Sequence, residues 1–361
     1  MPMKKEREQI EVGITALGTV CSLGLNAVQS CAAIRAGIAG FRQWDGYHCQ
    51  QVTFDPGNLE PLICARIPMD GTPGDAVTRF ATMVLKEVIE TARLSRALLT
   101  GRTGLYLSLP PDRRAGKDTG LSGKILEEIH QRTGIPGFRE TSLITSGHAG
   151  AMLAMQEAAA RLRTGEVDYG LVVGADSYFD LDVLAWLDDA GRLKSEQNKD
   201  GFIPGQGAAA VLLERGPHAA DRGAPVLAWM DGFGQAREEH LIFAEQPSVG
   251  QGLCQAIQAC CSGGQGDEPP LTWVLCDLNG ESYRSREWGY NLVKLHDCLN
   301  AVQTLWHPAD CVGDMGAASG ALLAVLAARA FQRGFAPDRR ALVWTGSDNG
   351  DRCAMLLRRP D

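Results

Sequence analysis

Four carboxyl groups, Asp277, Glu281, Glu287 and Asp314, fall in the last third of the chain. Gathered together they could hold a divalent cation, but their spacing is uneven and no paired histidine lies near them, so no metal is expected. Cys276, beside Asp277, is the nearest candidate nucleophile, yet a thiol flanked by apolar residues on a strand is ordinarily inert. His148 could act as a general base or as an unusual nucleophile, and the same residue at a buried helix start is commonly a hydrogen-bonded core side chain. Ser146 stands two residues before it. Acyl chemistry on Ser146 would need His148 as its base across that short separation, so a helix-capping role is expected instead.

The elements that place these residues follow from periodicity. Leu143 to Asp176 passes from a polar turn (Thr145, Ser146, Gly147) into an Ala-rich helix to Arg163, crosses Thr164-Gly165-Glu166 and enters the apolar strand Tyr169–Gly174. So few charges on that helix predict that protein covers most of its faces. Upstream, Glu11–Gly18 reads as a strand, Asn26–Gly37 as a helix, 42–75 as an excursion with short strands, and Asp75–Leu94 as an amphipathic helix. Gly104–Leu109 reads as a strand, Asp112–Gly123 as a polar loop, and Asp180–Gly191 as a helix. After a turn-rich linker at Pro217–Gly223, strands are predicted at Val226–Phe233, Leu271–Leu278, Arg340–Thr345 and Arg352–Leu357. Helices are predicted at Ser248–Cys261, Trp288–Leu305 and Ala317–Phe331, and the string Tyr283–Tyr290, after the strand Leu271–Leu278, is read as a loop whose two arginines could grip a partner peptide or carboxylate. Strands alternating with helices twice over predict an α/β chain of two similar halves, residues 1–216 and 224–361, without a visible residue-level repeat.

The segment Asn198–Glu214 carries the most specific pattern. Asp200, Gly201, Phe202, Gly205, Gly207, Ala208, Leu213 and Glu214, with Gln206 among them, resemble a string of the β-ketoacyl-acyl-carrier-protein synthases of the thiolase superfamily. The opening strand with its Ile34–Phe41 exit, the buried helix after the Ser-Gly turn, and the closing turn Gly346-Ser347-Asp348-Asn349-Gly350 are similar to parts of the same family. The resemblance covers Val12 to Leu357. It implies a thiolase-like fold, two fused βαβαβ-type halves in a five-layered α-β-α-β-α arrangement, and a homodimer. It also implies a pocket containing Ser146, Phe202, Cys276 and Asn349.

The family condenses acyl groups with a Cys at the N-terminus of the buried helix and two His that stabilise enolate and oxyanion. Here no cysteine occurs between Cys64 and Cys254. Counting back from Gly165 puts His148 at the Cys position, whereas matching the Thr-Ser-Gly string puts Ile144 or Thr145 there. Asn279 stands where the first His is expected, and Asp314 where the second is. An Asn can still donate to an oxyanion, but an ionised Asp repels an enolate.

The resemblance without its Cys-His-His triad implies a non-condensing binding or accessory protein, a pseudoenzyme holding a protein partner. One form is a chain-length-factor-like partner of an active synthase. A looser resemblance, carried by Asp277–Glu281 and the missing triad, is to thiolase-like accessory proteins encoded with type VI secretion effectors. The competing expectation is an acyltransferase or acyl-thioester hydrolase using groups near His148, Asn279 and Asp314, with acyl carrier protein or acyl thioester as ligand.

Composition narrows the field further. With 361 residues, 45% apolar and 22% charged, the chain is ordinary globular material. A net charge of −8 without a Lys/Arg stripe argues against a nucleic-acid partner. Acidic Glu6, Glu8 and Glu11 interrupt what would be the basic start of a secretory leader, and the longest later apolar run, Ala321–Phe331, is too short for a membrane span. Eleven cysteines without CxxC pairs suit a reducing cytoplasm, and no cofactor is expected.

Overall fold

The computed structural model describes residues 10–49, 60–69, 72–114, 117–118, 120–262 and 270–361. Ten strands form one sheet. In chain order they are β1 (Val12–Val20), β2 (Thr103–Ser108), β3 (Glu140–Ile144), β4 (Tyr169–Ser177), β5 (Gln206–Arg215), β6 (Ala228–Arg237), β7 (Trp273–Cys276), β8 (Thr304–Trp306), β9 (Arg340–Gly346) and β10 (Asp351–Arg358). Across the sheet they run β8-β7-β9-β10-β6-β1-β5-β4-β2-β3. The first five and the last five repeat one pattern. The opening strand of each set pairs antiparallel with the fifth, the fifth antiparallel with the fourth, and the second parallel with the fourth and third. The two sets meet through only two residue pairs, Gly13 with Trp229 and Ile14 with Ala228.

Among the helices that clothe and divide this sheet are α1 (Ala27–Arg35), α2 (Pro73–Ala92), α3 (Gly150–Thr164), α4 (Leu181–Asp189), α5 (Gln251–Cys261), α6 (Ser282–Lys294) and α7 (Ser319–Arg333). The apolar clusters give the layers. Val77, Phe80, Val84 and Leu85 of α2 pack on Leu105, Leu171, Val173 and Leu212, the outward faces of β2, β4 and β5. The opposite faces of those strands join α3 and α7 in a central cluster that also takes Leu275, Val343 and Met355 from the other set. Leu253 and Ile257 of α5 then cover Val274, Leu342 and Trp344 on the far side. Period-two alternation therefore sends successive residues of each strand to different layers.

Of the two central helices, α7 is the more completely covered, with 12 of its 15 residues buried. The helix expected to be buried on most faces, α3, leaves a flank at Gln156, Glu157 and Ala160 reaching the surface. The segment Pro217–Gly223 contains a short helix, Gly216–Asp221, rather than a plain linker, and Asp112–Gly123 contains a short hairpin pairing Arg113 with Asp118. A repeat hidden in the sequence emerges in the centre. Gly147 and Gly316 open matching 3₁₀ turns before α3 and α7, and Gly165 and Gly334 close those helices in the left-handed conformation.

Two helices, α3 and α7, and the short helix Ile125–Thr133 thus end on a left-handed Gly. The C-cap of α2 adopts the same conformation with Arg93, at φ 55°, the sole non-Gly residue with positive φ among those described. A side chain there costs about 1 kcal/mol relative to Gly.

Candidate functional site

Asp314 is placed by the segment whose pattern stood out. The Gly205 amide donates to the Asp314 carbonyl at 2.9 Å, and the Asp314 amide donates to the Ile203 carbonyl at 2.8 Å. A Cβ on Gly205 would lie 2.5 Å from the Val312 oxygen and 2.9 Å from that of Asp314, so only Gly lets these strands of chain touch. The Gly316 amide then donates to Asp314 Oδ1 at 2.7 Å and holds the carboxylate facing inward.

Facing it are the other two predicted residues. His148 Nε2 lies 2.7 and 3.0 Å from the Asp314 oxygens, and Asn279 Nδ2 donates to Asp314 Oδ2 at 2.7 Å. The structure thus brings His148, Asn279 and Asp314 into one cluster, with the Tyr178 hydroxyl donating to Asp314 Oδ1 at 3.2 Å. Ile144, the alternative to His148, closes β3 against β2, and Thr145 follows it in the turn.

Two arginines extend the cluster into a network. Arg192 forms a two-point pair with Glu281 at 2.7 and 2.9 Å and reaches Asp348 at 2.8 Å. Arg284 donates to Asp277 at 3.0 Å, approaches Glu281 at 3.7 Å and Asp348 at 3.5 Å, and lies 3.5 Å from His148 Nδ1. Asn279 ties the halves of the network together by donating also to Glu281 at 3.0 Å. Both arginine side chains are about 5% exposed or less, whereas Asp348 is 49% exposed and forms the solvent-facing end.

Four carboxyl groups therefore surround two guanidiniums and one imidazole, which favours a proton on His148. Burial pulls the imidazole pKa down, the Asp314 carboxylate pushes it up and Arg284 opposes; the carboxylate wins and the pKa is raised. For Asp314, burial favours the neutral form, but His148 and Arg284 outweigh it and hold its pKa well below the usual carboxylate range. Burial pushes the Tyr178 hydroxyl well up. With Nε2 held by both Asp314 oxygens and Nδ1 facing a guanidinium, no lone pair of His148 points at open space. The void beside Asn279 and Asp314 is about 10 Å³, room for about one water molecule.

The predicted pocket residues scatter. Phe202 is buried with its ring 5.2 Å from Tyr178 and beneath Arg192. Cys276 borders the small void, and burial pushes its thiol pKa up, away from nucleophilic use. Ser146 does not cap the helix with its side chain. Ser347 does that work: its Oγ accepts from the Ala149 amide at 2.8 Å and donates to the Ser146 carbonyl. Asn349 is exposed and bonds Asp351, so its turn contributes Ser347 and Asp348 to the site instead.

The four carboxylates of the last third do not turn toward a common metal: Asp277, Glu281 and Glu287 are each paired with an arginine, Glu287 with Arg352 at 2.7 Å, and Asp314 is paired with His148. The string Tyr283–Tyr290 lies in helix α6, not in a loop, and Arg284 points inward to the network rather than to a partner. Arg192, Tyr178 and Asp348 carried no signal of their own in the sequence. Their placement depends on partners tens to hundreds of positions away, although Asp348 lies in a turn already singled out.

A second inward pair sits alongside. Arg114 grips both oxygens of Asp176 at 2.8 Å, and Asp176 also accepts from the Ala317 amide at 2.8 Å.

Comparison with known proteins agrees with this architecture. Residues 139–219 match the family model of the β-ketoacyl synthase N-terminal domain. The 3-oxoacyl-acyl-carrier-protein synthase 2 of Vibrio harveyi is 30% identical over 122 residues, 33% of this chain and 29% of that one. The protein of the same name from Coxiella burnetii is 29% identical over 112 residues, 30% and 27% of the two chains. The chain thus spans under a third of the length of these relatives. Nodulation protein E of Rhizobium leguminosarum bv. trifolii is 24% identical over 295 residues, covering 69% of this chain and 68% of the other.

Among solved structures, the ishigamide ketosynthase/chain length factor superposes with a TM-score of 0.78 at 17% identity over 98% of this chain and 100% of that one. A type II PKS acyl-carrier protein in complex with its ketosynthase gives 0.79 at 14%, again over 98% and 100%. On these findings the chain is β-ketoacyl synthase-like and has the fold of the thiolase superfamily.

Proposed function

We propose that this chain is a non-condensing ketosynthase-fold protein that works by holding a protein partner, a Cys-bearing synthase, in the manner of a chain-length factor. The observation that supports this reading is the closed network at His148, Asn279 and Asp314, the positions that match the family's reactive residues. Nucleophile and enolate stabilisers are there replaced by ion pairs that need no substrate for their satisfaction. An enolate formed beside Asp314 would meet a carboxylate held ionised, which raises rather than lowers the barrier. The likeness of fold to the ishigamide ketosynthase/chain length factor favours that partner over a secreted effector.

The edge strand β3 suits the pairing, since among the described residues it is paired on one side alone and its Ser142 bonds Glu157 on the surface flank of α3. No helix among the described residues is long and apolar enough to cross a membrane, and eleven free thiols fit a reducing cytoplasm.

Intact-mass measurement after incubation with acetyl- and octanoyl-thioesters tests the chemistry, with His148→Ala alongside. No adduct is expected on either protein. A stoichiometric acyl adduct on the wild type that disappears in His148→Ala would make the chain an acyl-transfer enzyme and end this reading.

A further inference from the structure

One cavity has no part in the network above. It measures about 570 Å³, within the range of organic-ligand pockets, and opens beside β1 where the two strand sets separate after Ile14 and Ala228. Its apolar wall includes Leu17, Val28, Leu94, Leu98 and Leu227, and Val28 is 58% exposed. Three arginines, Arg93, Arg222 and Arg329, stand around it.

Their partners differ. Arg222 is neutralised by Glu214, at 2.6 Å from its Nε, and donates to the Ala92 carbonyl at the end of α2. Among the described residues Arg329 bonds only the uncharged Gln332 amide oxygen, at 2.6 Å. Among the described residues no hydrogen bond or ion pair engages the Arg93 guanidinium. The one acid on the wall, Glu87, already accepts from the amides of Thr19 and Ala27 at 3.1 and 2.8 Å. The cavity thus presents two cations without carboxylate partners above an aliphatic floor.

The second, independent observation is backbone conformation. This chain closes α3, α7 and Ile125–Thr133 with Gly, yet it keeps a strained Arg at the end of α2, where the side chain borders the cavity. A cation serving only the helix terminus would not need that position, since Arg222 already donates to the final helical carbonyl, that of Ala92, at 3.1 Å.

We propose that this cavity binds an amphipathic organic monoanion, its acidic head between Arg93 and Arg329 and its aliphatic body on Leu17, Leu94, Leu98 and Leu227. The inference is independent of the partner role argued above and of the His148 cluster.

Octanoate is the probe, titrated calorimetrically into the whole protein, with acetate as a head without a body and octan-1-ol as a body without a head. Saturable one-to-one binding of octanoate is expected, with acetate and octanol each at least about tenfold weaker. Arg93→Gly is the discriminating variant, because it removes the guanidinium while relieving the left-handed strain. Its octanoate affinity should fall about fivefold or more while its melting midpoint stays level or rises by about 1–2 °C. Arg329→Gln should weaken octanoate similarly. Absence of saturable octanoate binding, octanol binding as tightly as octanoate, or unchanged affinity in Arg93→Gly would each overturn the assignment.

Discussion

Replacing Asp314 by Asn keeps the shape of the side chain and removes one charge from the centre of the network. In the native protein that carboxylate, 2% exposed, faces His148 at 2.7 Å and accepts from Asn279, Tyr178 and the Gly316 amide. Breaking one side of a buried, hydrogen-bonded pair costs about 3–5 kcal/mol. At about 2.1 cal/mol/K per residue, a chain of this length unfolds with an entropy of about 0.76 kcal/mol/K, so the melting midpoint should drop by about 4–7 °C.

The pH dependence is the sharper test. His148 has a raised folded pKa, so its contribution is complete below the unfolded value of about 6.5 and is lost as pH rises toward the folded value. In that window the folded state binds one proton more than the unfolded state, and stability falls by at most about 1.4 kcal/mol, or about 1.8 °C, per pH unit. Asp314, with its lowered folded pKa, contributes above about pH 4 and loses that contribution only under acid. Scanning calorimetry between pH 6 and 8.5 should therefore show a falling midpoint in the wild type and a flat one in Asp314→Asn. A flat wild-type profile, or an equal slope in the variant, would refute the coupling of His148 to Asp314.

Further outcomes follow from the packing. Gly205→Ala should destabilise by about 1–3 kcal/mol in urea, because its Cβ would press on the Val312 and Asp314 carbonyls; full stability would show that this backbone contact does not set the site. Of the eleven cysteines only Cys261 and Cys298 are less than fully buried, and the Cys260 hydrogen bond pushes the Cys261 thiol up to about 11. An aromatic disulfide reagent at pH 8 should therefore modify at most two thiols of the native protein, slowly, and eleven after denaturation. Rapid labelling of three or more would contradict the described packing.

Long apolar periodicity made most elements legible. Asp75–Leu94 and Ala317–Phe331 are helices within a few residues of their expected bounds because leucine, valine and alanine mark their buried faces. Helix α6 was legible only from Trp288 to Lys294, inside the helix expected at Trp288–Leu305, and its first turns were not, for the converse reason. Its buried positions, Arg284, Glu287, Trp288 and Asn291, recur at helical spacing, but three of the four are polar, so a count of apolar residues sees nothing. The network shares that difficulty: Arg192 and Glu281 look like surface charges until a pairing across the fold buries both. By contrast His148, Asn279 and Asp314 could be brought together on paper, since each sits at a landmark of a recognisable pattern. What could not be read there was that they would bond one another and leave so little room.

The order in which the strands are made has a consequence for synthesis. The final one of the ten, β10, is inserted between β6 and β9 in the interior of the sheet, beside the seam with the first set. The helix that covers the inner side of β1, β4 and β5, α7, also emerges late. A nascent chain that has not reached Ser319 lacks this cover, so a product truncated there is expected to expose aliphatic surface of β1, β4 and β5 and to be cleared by proteolysis rather than persist as a smaller working unit.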